Sequence, residues 1–256
     1  MKHHSNWLRR VLFTAAALLA ALSAQAQADV VYWGLDVDGV WDIETTPNWR
    51  YGTPSGSWDY FFQNDSVYFA RSAGGVITVD AGTQSSVQPS VMNVSEGDYT
   101  FQGDDIACSG GLSITGGSMT ATNSVSFGSV GYIAQSSGST GALIIDGGNV
   151  DFSNQPLFVA DNGTGYLSMS NGTCSTTSSL IVGHGDGGVG TFDMDGDSLL
   201  QSNGIRIGGR LGSEGVWNIS GGTANLQYTE TGSCFILGHM SGATGTVNQS
   251  GGLVIT

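Results

Sequence analysis

Aspartates at alternate positions are the clearest candidates for chemistry in this chain. Asp193, Asp195 and Asp197 lie in the segment TFDMDGDS, and Asp186 lies in the glycine-rich segment HGDGG. Carboxylates at every second position are the pattern with which a calcium-binding loop begins. Ser198, however, occupies the place of the turn glycine, and no glutamate follows at the closing position. The four aspartates are therefore predicted either to bind calcium, the one candidate cofactor, or to be solvated turn residues.

Tryptophans are concentrated in the N-terminal part of the chain. Trp33, Trp41 and Trp58 carry flat apolar rings, which suit the faces of pyranose sugars. One hypothesis is a glycan-binding platform built from these three side chains. The other is an aromatic cap, because the first repeat of a repeat protein would otherwise expose its apolar interior to water.

The sequence predicts no catalytic residues. His184 and His239 each follow a short apolar strand, in IVGH and ILGH. They are predicted to be hydrogen-bonded turn residues, and the alternative is a pair of surface histidines stacked about two repeats apart. Glycoside hydrolysis requires a pair of carboxylates, and elimination at a sugar acid requires a basic residue with calcium. Lysine is absent after residue 28, and Arg206 and Arg210 lie near one strand and its turn.

Three cysteines follow no metal-binding spacing. Cys108, Cys174 and Cys234 form neither a CxxC pair nor a cysteine–histidine pattern, so zinc is not predicted. The odd number leaves at least one thiol outside any disulfide within the chain. Cys174 is predicted to be a buried, inert thiol in an apolar column with Val150 and Leu199.

Residues 1–28 have the features of a secretory signal peptide. Three basic residues precede an uncharged apolar run at 11–23, and small residues then alternate up to Ala28. Cleavage is predicted after Ala28, which gives a mature chain of residues 29–256. No later apolar run is long enough for a transmembrane helix.

The charge balance disfavours polyanionic partners. Residues 1–28 hold three of the seven basic residues and none of the 21 acidic ones, which leaves four arginines and a net charge of −17. Such a surface repels nucleic acid and anionic lipid, so neither is a predicted partner. Charged residues are only 11% of the chain, and 39% is hydrophobic with 41 glycines. This composition favours short strands joined by tight turns over disorder.

A repeat of about 24–25 residues organises the chain from residue 110 onward. Each unit begins with glycine, has apolar residues at offsets 2 and 4, which share one face of a strand, and then reaches a small turn. The units are GGLSITGGSMT (110–120), GALIIDGGNVD (141–151), GYLSMSNGTCS (165–175), GTFDMDGDSLL (190–200), GVWNISGGTAN (215–225) and GTVNQSGGLVI (245–255). Another apolar strand precedes each later glycine, so a unit supplies about three short strands. Stacking such units buries a continuous apolar interior.

The predicted fold is all-β, a right-handed parallel β-helix with about 24–25 residues per coil. Residues 106–256 form its repeats, and residues 29–105 form the aromatic-rich N-terminal cap with the first strands. The last repeat stops in mid-coil, so the solenoid is expected to be truncated at its C-terminus. An antiparallel sandwich is the alternative, since regularly spaced short strands are also typical of that class.

Several segments carry a resemblance to a known group of proteins. They are YWG at 32–34, GVW at 39–41, NW at 48–49, NDSVYF at 64–69 and the later glycine-led units. Together they resemble exported bacterial proteins with autotransporter-associated β-strand repeats, and also exported proteins that end in a surface-sorting anchor. The resemblance implies a secreted, cell-surface or outer-membrane solenoid and supplies no catalytic residues. The chain shows neither the membrane barrel nor the sorting tail of these groups, which leaves its anchoring open.

Two functions are compatible with these features. The first is a non-enzymatic structural or adhesin-like scaffold, or a passenger segment, that contacts extracellular glycans or other surface components through rows of polar side chains. The second is a parallel β-helix that binds or degrades polysaccharide. Exposed tryptophans beside paired carboxylates would favour the second function, and burial of those tryptophans would count against it.

Overall fold

The structure, a computed structural model, describes residues 28–227 and 234–256. Within these ranges the protein is all-β, with 26 strands and no helix. No helix of the described residues is therefore long and apolar enough to cross a membrane. The predicted signal peptide lies outside the described residues, apart from Ala28 at its end.

Nearly all strands belong to three stacks of parallel strands. In each stack a strand pairs with the strand one repeat earlier and one repeat later, as for Ile145 with Met169 and Met169 with Met194. Over residues 140–219 these partners lie 24–25 residues apart, which is the predicted repeat length, whereas Phe101 and Ala121 are 20 residues apart and Gly215 and Gly245 are 30 apart. Among the described residues, antiparallel pairing is limited to β1 with β3 and β3 with β4, so the antiparallel sandwich is wrong.

Stack 1 is a sheet of nine strands. Its strands are β2 (Gly39–Asp42), β6 (Gly75–Asp80), β9 (Asp98–Gly103), β12 (Ser118–Ala121), β15 (Thr140–Asp146), β18 (Thr164–Ser170), β20 (Val189–Asp195), β22 (Glu214–Ile219) and β25 (Thr244–Gln249).

Stack 2 shares two long strands with stack 3. Its strands are β7 (Ser86–Val87), β10 (Asp105–Cys108), β13 (Ser124–Phe127), β16 (Asn149–Asp151), the first parts of β19 (Thr173–Val182) and β21 (Leu199–Ile207), β23 (Thr223–Leu226) and β26 (Leu253–Ile255).

Stack 3 begins at the N-terminal end of the described chain. Its strands are β1 (Val30–Trp33), β5 (Ser66–Ala70), β8 (Val91–Glu96), β11 (Leu112–Ile114), β14 (Gly131–Ile133), β17 (Leu157–Val159), the second parts of β19 and β21, and β24 (Phe235–Leu237). Two short strands, β3 (Trp49–Tyr51) and β4 (Trp58–Asp59), extend from β1. From β7 onward the chain visits stacks 2, 3 and 1 in that order, and one such round is called a rung below.

Apolar side chains of successive rungs form columns because the strands pair in register. One column of stack 1 is fully buried over six successive strands and then reaches the partly buried Val247. Its fully buried members are Tyr99, Met119, Leu143, Leu167, Phe192 and Trp217. The buried side chains of all three stacks belong to one continuous core. Each rung therefore buries its apolar face against its neighbours, as the sequence pattern predicts.

The glycine that opens each unit lies where two stacks meet. A side chain at Gly215 would place its Cβ 2.4 Å from the carbonyl oxygen of Val182 and 2.5 Å from the amide nitrogen of Gly208. Only glycine allows this close approach of backbones between stack 3 and stack 1. The column of glycines is thus a packing requirement of the corner.

Two positions of the repeat alignment are wrong. The unit at 110–120 contains a stack 3 strand, β11, followed by a stack 1 strand, whereas the unit at 141–151 contains a stack 1 strand followed by a stack 2 strand. In addition, Leu200 and not Leu199 pairs with Cys174, because the turn before β21 is one residue longer. Leu200 is fully buried, and Leu199 is partly exposed.

An aromatic cluster fills the N-terminal end of the core. Trp33, Trp41, Trp49 and Phe61 have no exposed surface, and Trp41 meets Trp49 and Phe61 edge to face at ring distances of 5.3 and 5.1 Å. The role of this cluster as a cap stays a prediction. Parallel pairing already joins β5 to β8, so the parallel stacks begin before residue 106.

Candidate functional site

Asp193 is part of a chain of hydrogen bonds on the outer face of stack 1. Its Oδ2 accepts a hydrogen bond of 2.6 Å from the Tyr166 hydroxyl, and its Oδ1 accepts one of 2.6 Å from the Asn218 amide. Asn248 in turn donates to Asn218 at 2.8 Å. Burial, reinforced by the hydrogen bond to Asp193, raises the pKa of the Tyr166 hydroxyl. The Asp193 carboxylate thus links neighbouring rungs through both of its oxygens.

The other calcium candidates point into solvent. Asp195 shares the outer face of β20 with Asp193, as predicted, while Asp197 lies in the turn that follows and Asp186 in the turn after β19. All three are exposed. Within the ranges that the structure describes, no three His, Cys, Asp or Glu side chains converge to hold a metal ion. The structure therefore provides no assembled calcium site at these aspartates.

The three candidate tryptophans do not form a common platform. Trp33 and Trp41 are fully buried in the aromatic cluster, so neither ring offers a face to a ligand. Trp58 is 49% exposed, and the Arg50 guanidinium lies 3.3 Å from its ring centroid. The cation–π contact covers one face of that ring. Of the three candidate rings, Trp58 alone therefore has a face that a sugar could contact, and that is the face not covered by Arg50.

His184 is paired with a carboxylate from the preceding rung. Its Nδ1 lies 2.7 Å from Oδ1 of Asp161, and its ring centroid lies 4.7 Å from that of Phe158. His239 occupies the corresponding position two rungs later. The His184 amide donates to the carbonyl of Ala160 in the preceding rung, and the His239 amide donates in the same way to the carbonyl of Gly208. The equivalent placement predicted for the two histidines is confirmed, with Gly209 at the same position in the rung between them. The sequence analysis did not predict Asp161 as the partner of His184. The signal for it was the spacing, because Asp161 precedes His184 by almost one repeat.

The cysteines are all free thiols. Cys108 and Cys174 are buried, and burial raises the pKa of each thiol to about 12. A thiol of such high pKa is a poor nucleophile at neutral pH. The predicted burial of Cys174 is confirmed, with Leu200 as its neighbour in the column.

A groove lined mainly by residues with polar side chains runs along the outer face of stack 2. It consists of two adjoining depressions of about 280 and 240 Å³ that share Asp151. A column of outward-facing polar residues runs through it, because the pairing of β13, β16, β19, β21 and β23 places Ser126, Asp151, Ser175, Gln201 and Asn225 in register. We refer to this feature as the stack 2 groove.

The side chains of the stack 2 groove differ in how firmly they are held. Asp151 accepts hydrogen bonds of 2.7 Å from the Ser175 hydroxyl and 3.0 Å from the Ser153 amide. The side-chain amides of Gln201 and Asn225 make no hydrogen bond within residues 28–227 and 234–256. The groove was missed in the sequence because its residues differ in type. Only their shared spacing of one repeat signals a common face.

Known proteins offer no direct guide to the role of these features. A comparison with protein-family models, curated proteins and solved structures finds no match to the chain. The resemblance to autotransporter-associated repeats therefore stays a prediction.

Proposed function

We propose that the chain is a right-handed parallel β-helix that acts outside the cell as a non-enzymatic scaffold, of the adhesin-like or passenger kind. The observation that carries the proposal is the order of the strands. Stacks 2, 3 and 1 recur in turn, and in the regular rungs each in-register partner lies one repeat further along the chain. One such round corresponds to one coil of a β-helix. The right hand is favoured because crossovers between parallel strands are right-handed almost without exception.

Export is supported by the sequence of residues 1–28. The apolar run at 11–23, with its basic start and its small residues before Asp29, is the pattern that secretion machinery recognises. The net charge of −17 after residue 28 suits a soluble extracellular surface that avoids polyanions. The protein is accordingly proposed to be secreted or displayed at the cell surface or outer membrane, where glycans and surface components are its partners.

The outer columns suit a scaffold that makes many weak contacts. Hydroxyl, amide and carboxylate groups recur at the same outward position on successive strands, as in the column through Asp151 and Gln201. Adjacent strands are about 4.8 Å apart, so such a column presents polar groups at regular intervals. Degradation of polysaccharide receives less support, because two of the tryptophans proposed to hold a sugar are buried.

Two measurements, export of the protein and the shape of the purified particle, test this proposal together. The gene is expressed in a bacterium, and the protein is recovered from the medium or the cell surface. The expected N-terminus is Asp29, and small-angle scattering of the purified protein should show an elongated particle. Deletion of residues 11–23 is the matched control and should retain the protein in the cytoplasm. An N-terminus still at Met1, or a compact particle, would contradict the proposal.

An assay for polysaccharide cleavage tests the proposal that the scaffold is not an enzyme. Neutral and acidic polysaccharides are incubated with the exported protein, and the release of reducing ends is followed with calcium and with chelator. No release above the protein-free control is expected. Release of reducing ends from any polymer would overturn the scaffold proposal.

A further inference from the structure

We propose that the stack 2 groove binds a linear, uncharged polysaccharide chain that lies across the strands. The inference deepens the proposed function, because it names the ligand class of an extracellular scaffold. The two depressions meet at Asp151, and their lining residues together extend from β7 to β23. These are seven successive strands of stack 2, so the groove is about 29 Å long at the usual strand spacing.

The spacing of the groove side chains fits an extended sugar chain. In-register side chains on adjacent strands are about 4.8 Å apart. This distance is close to the advance per ring of a β-1,4-linked pyranose chain. Ser175, Gln201 and Asn225 lie on three successive strands in one column, so each can meet one ring of the polymer.

The chemistry of the lining selects sugar hydroxyls. The amides of Gln201 and Asn225 each offer two donors and one acceptor, and the structure gives neither amide a partner within the described ranges. Asp151 is fixed by Ser153 and Ser175, which leaves it as an oriented acceptor. Hydroxyl-rich ligands can satisfy all of these groups at once.

The charge of the lining excludes acidic polymers. The described residues that line the groove include two carboxylates, Asp105 and Asp151, and no basic side chain. A uronic-acid polymer would meet these carboxylates without a compensating cation. An uncharged polymer avoids that repulsion.

The same two carboxylates are badly placed for hydrolysis. Asp105 and Asp151 lie two strands apart and two positions apart along the strand, on the same outer face. From strand spacing and rise, their Cα atoms are roughly 12 Å apart. Glycosidases hold their carboxyl groups about 5–9.5 Å apart on the two sides of the scissile bond. The groove geometry therefore points to binding without cleavage.

Titration with defined oligosaccharides tests the proposal. The purified exported protein is titrated calorimetrically with cellohexaose, mannohexaose and xylohexaose, and with hexagalacturonate as the acidic probe. At least one neutral hexasaccharide should bind, and hexagalacturonate should not. The double variant Gln201→Ala/Asn225→Ala should bind roughly tenfold more weakly, because it loses two hydrogen-bonding amides. Gln102→Ala removes an exposed amide from stack 1 and is the matched control. It should leave the affinity within about twofold.

The outcomes separate this inference from the proposed scaffold. No binding of any neutral hexasaccharide by protein that scatters as an elongated particle would overturn the groove proposal and leave the scaffold intact. Binding that the double variant does not weaken would also overturn it, and would place the ligand elsewhere. Cleavage of the hexasaccharide would overturn the non-enzymatic scaffold proposal. In that case, loss of binding in the double variant would still support the groove as the binding site.

Discussion

The two buried thiols make the stability of the protein depend on alkaline pH. Burial raises the pKa of Cys108 and of Cys174 from 9.0 to about 12, and that of Tyr99 from 10.0 to about 12. The unfolded chain therefore releases these protons first as the pH rises. Stability is fully present below pH 9 and is lost as the pH rises towards about 12.

A denaturant titration at pH 8, 9 and 10 checks this dependence. The free energy of unfolding should fall by about 1 kcal/mol per thiol between pH 9 and pH 10. The variant Cys108→Ala/Cys174→Ala should be less stable at pH 8 but should show a shallower decline. Equal slopes for the two proteins would show that the thiols do not ionise on unfolding in this range.

Two glycines with the same backbone conformation allow steric clash to be separated from backbone strain. Gly208 has φ +78° and Gly187 has φ +75°, but a Cβ at Gly208 would lie 2.4 Å from the carbonyl oxygen of Thr244, whereas a Cβ at Gly187 has no atom within 4 Å. Gly187→Ala should cost about 1 kcal/mol of stability from its left-handed conformation. Gly208→Ala should cost about 1–3 kcal/mol more. Urea unfolding of both variants measures the difference, and equal losses would contradict the close approach at this corner.

At the scale of the strands, much of the fold could be predicted from the sequence. Alternating apolar residues identified the stack 1 strands from Gly141 onward, and the preceding apolar runs identified those of stack 3. The unit at 110–120 was misplaced because the rungs there are shorter, as the pairing of Phe101 with Ala121 shows. The same glycine-led pattern then falls on different stacks. Pattern alone does not distinguish one corner of the core from another.

The candidate site was harder to predict than the strands. The aromatic rings of Trp33 and Trp41 suit a sugar-binding surface and a hydrophobic core equally well. In the structure both rings are buried in the core. The stack 2 groove depends on the longer turn before β21, which sets Gln201 beside Ser175 and which no local pattern signals. Outer columns are visible only when the register of every turn is known.

The corrected register makes a direct prediction for two neighbouring leucines. Leu200→Ala should lower the free energy of unfolding by about 2–5 kcal/mol, because this side chain is fully buried between Cys174 and Ala224. Leu199→Ala should cost under about 1 kcal/mol, since the side chain is partly exposed. Chemical denaturation of the pair measures both values. A larger loss at Leu199 would restore the alignment inferred from sequence.

At the scale of the whole molecule, unbalanced negative charge opposes folding. The chain after residue 28 contains four arginines and 21 acidic residues. One of the arginines, Arg71, forms an ion pair with Asp36 at 3.9 Å. Added salt screens the repulsion. The melting temperature should therefore rise by roughly 2–4 °C for each kcal/mol of repulsion that salt removes.

The exposed aspartates provide the matched variant for this prediction. The triple variant Asp186→Asn/Asp195→Asn/Asp197→Asn removes three negative charges without touching the core. It should melt higher than the parent protein at low salt and respond less to added salt, as scanning calorimetry can show. A lower melting temperature for the variant, together with destabilisation of the parent by chelator, would instead indicate that these aspartates hold calcium.

The regular stacking of rungs also bears on how such a gene can change in length. Strand β20 lies between β18 and β22, and Gly165, Gly190 and Gly215 follow one another in a single column. Recombination that removed residues 190–214 would set β22 directly on β18, with Trp217 over Leu167 and every side chain still on its own face. Loss of a single strand residue would instead turn the rest of that strand inside out. Duplications and deletions of one whole rung are therefore the mutations that such a gene can accumulate, so the length of the protein can evolve in steps while its surface chemistry is retained.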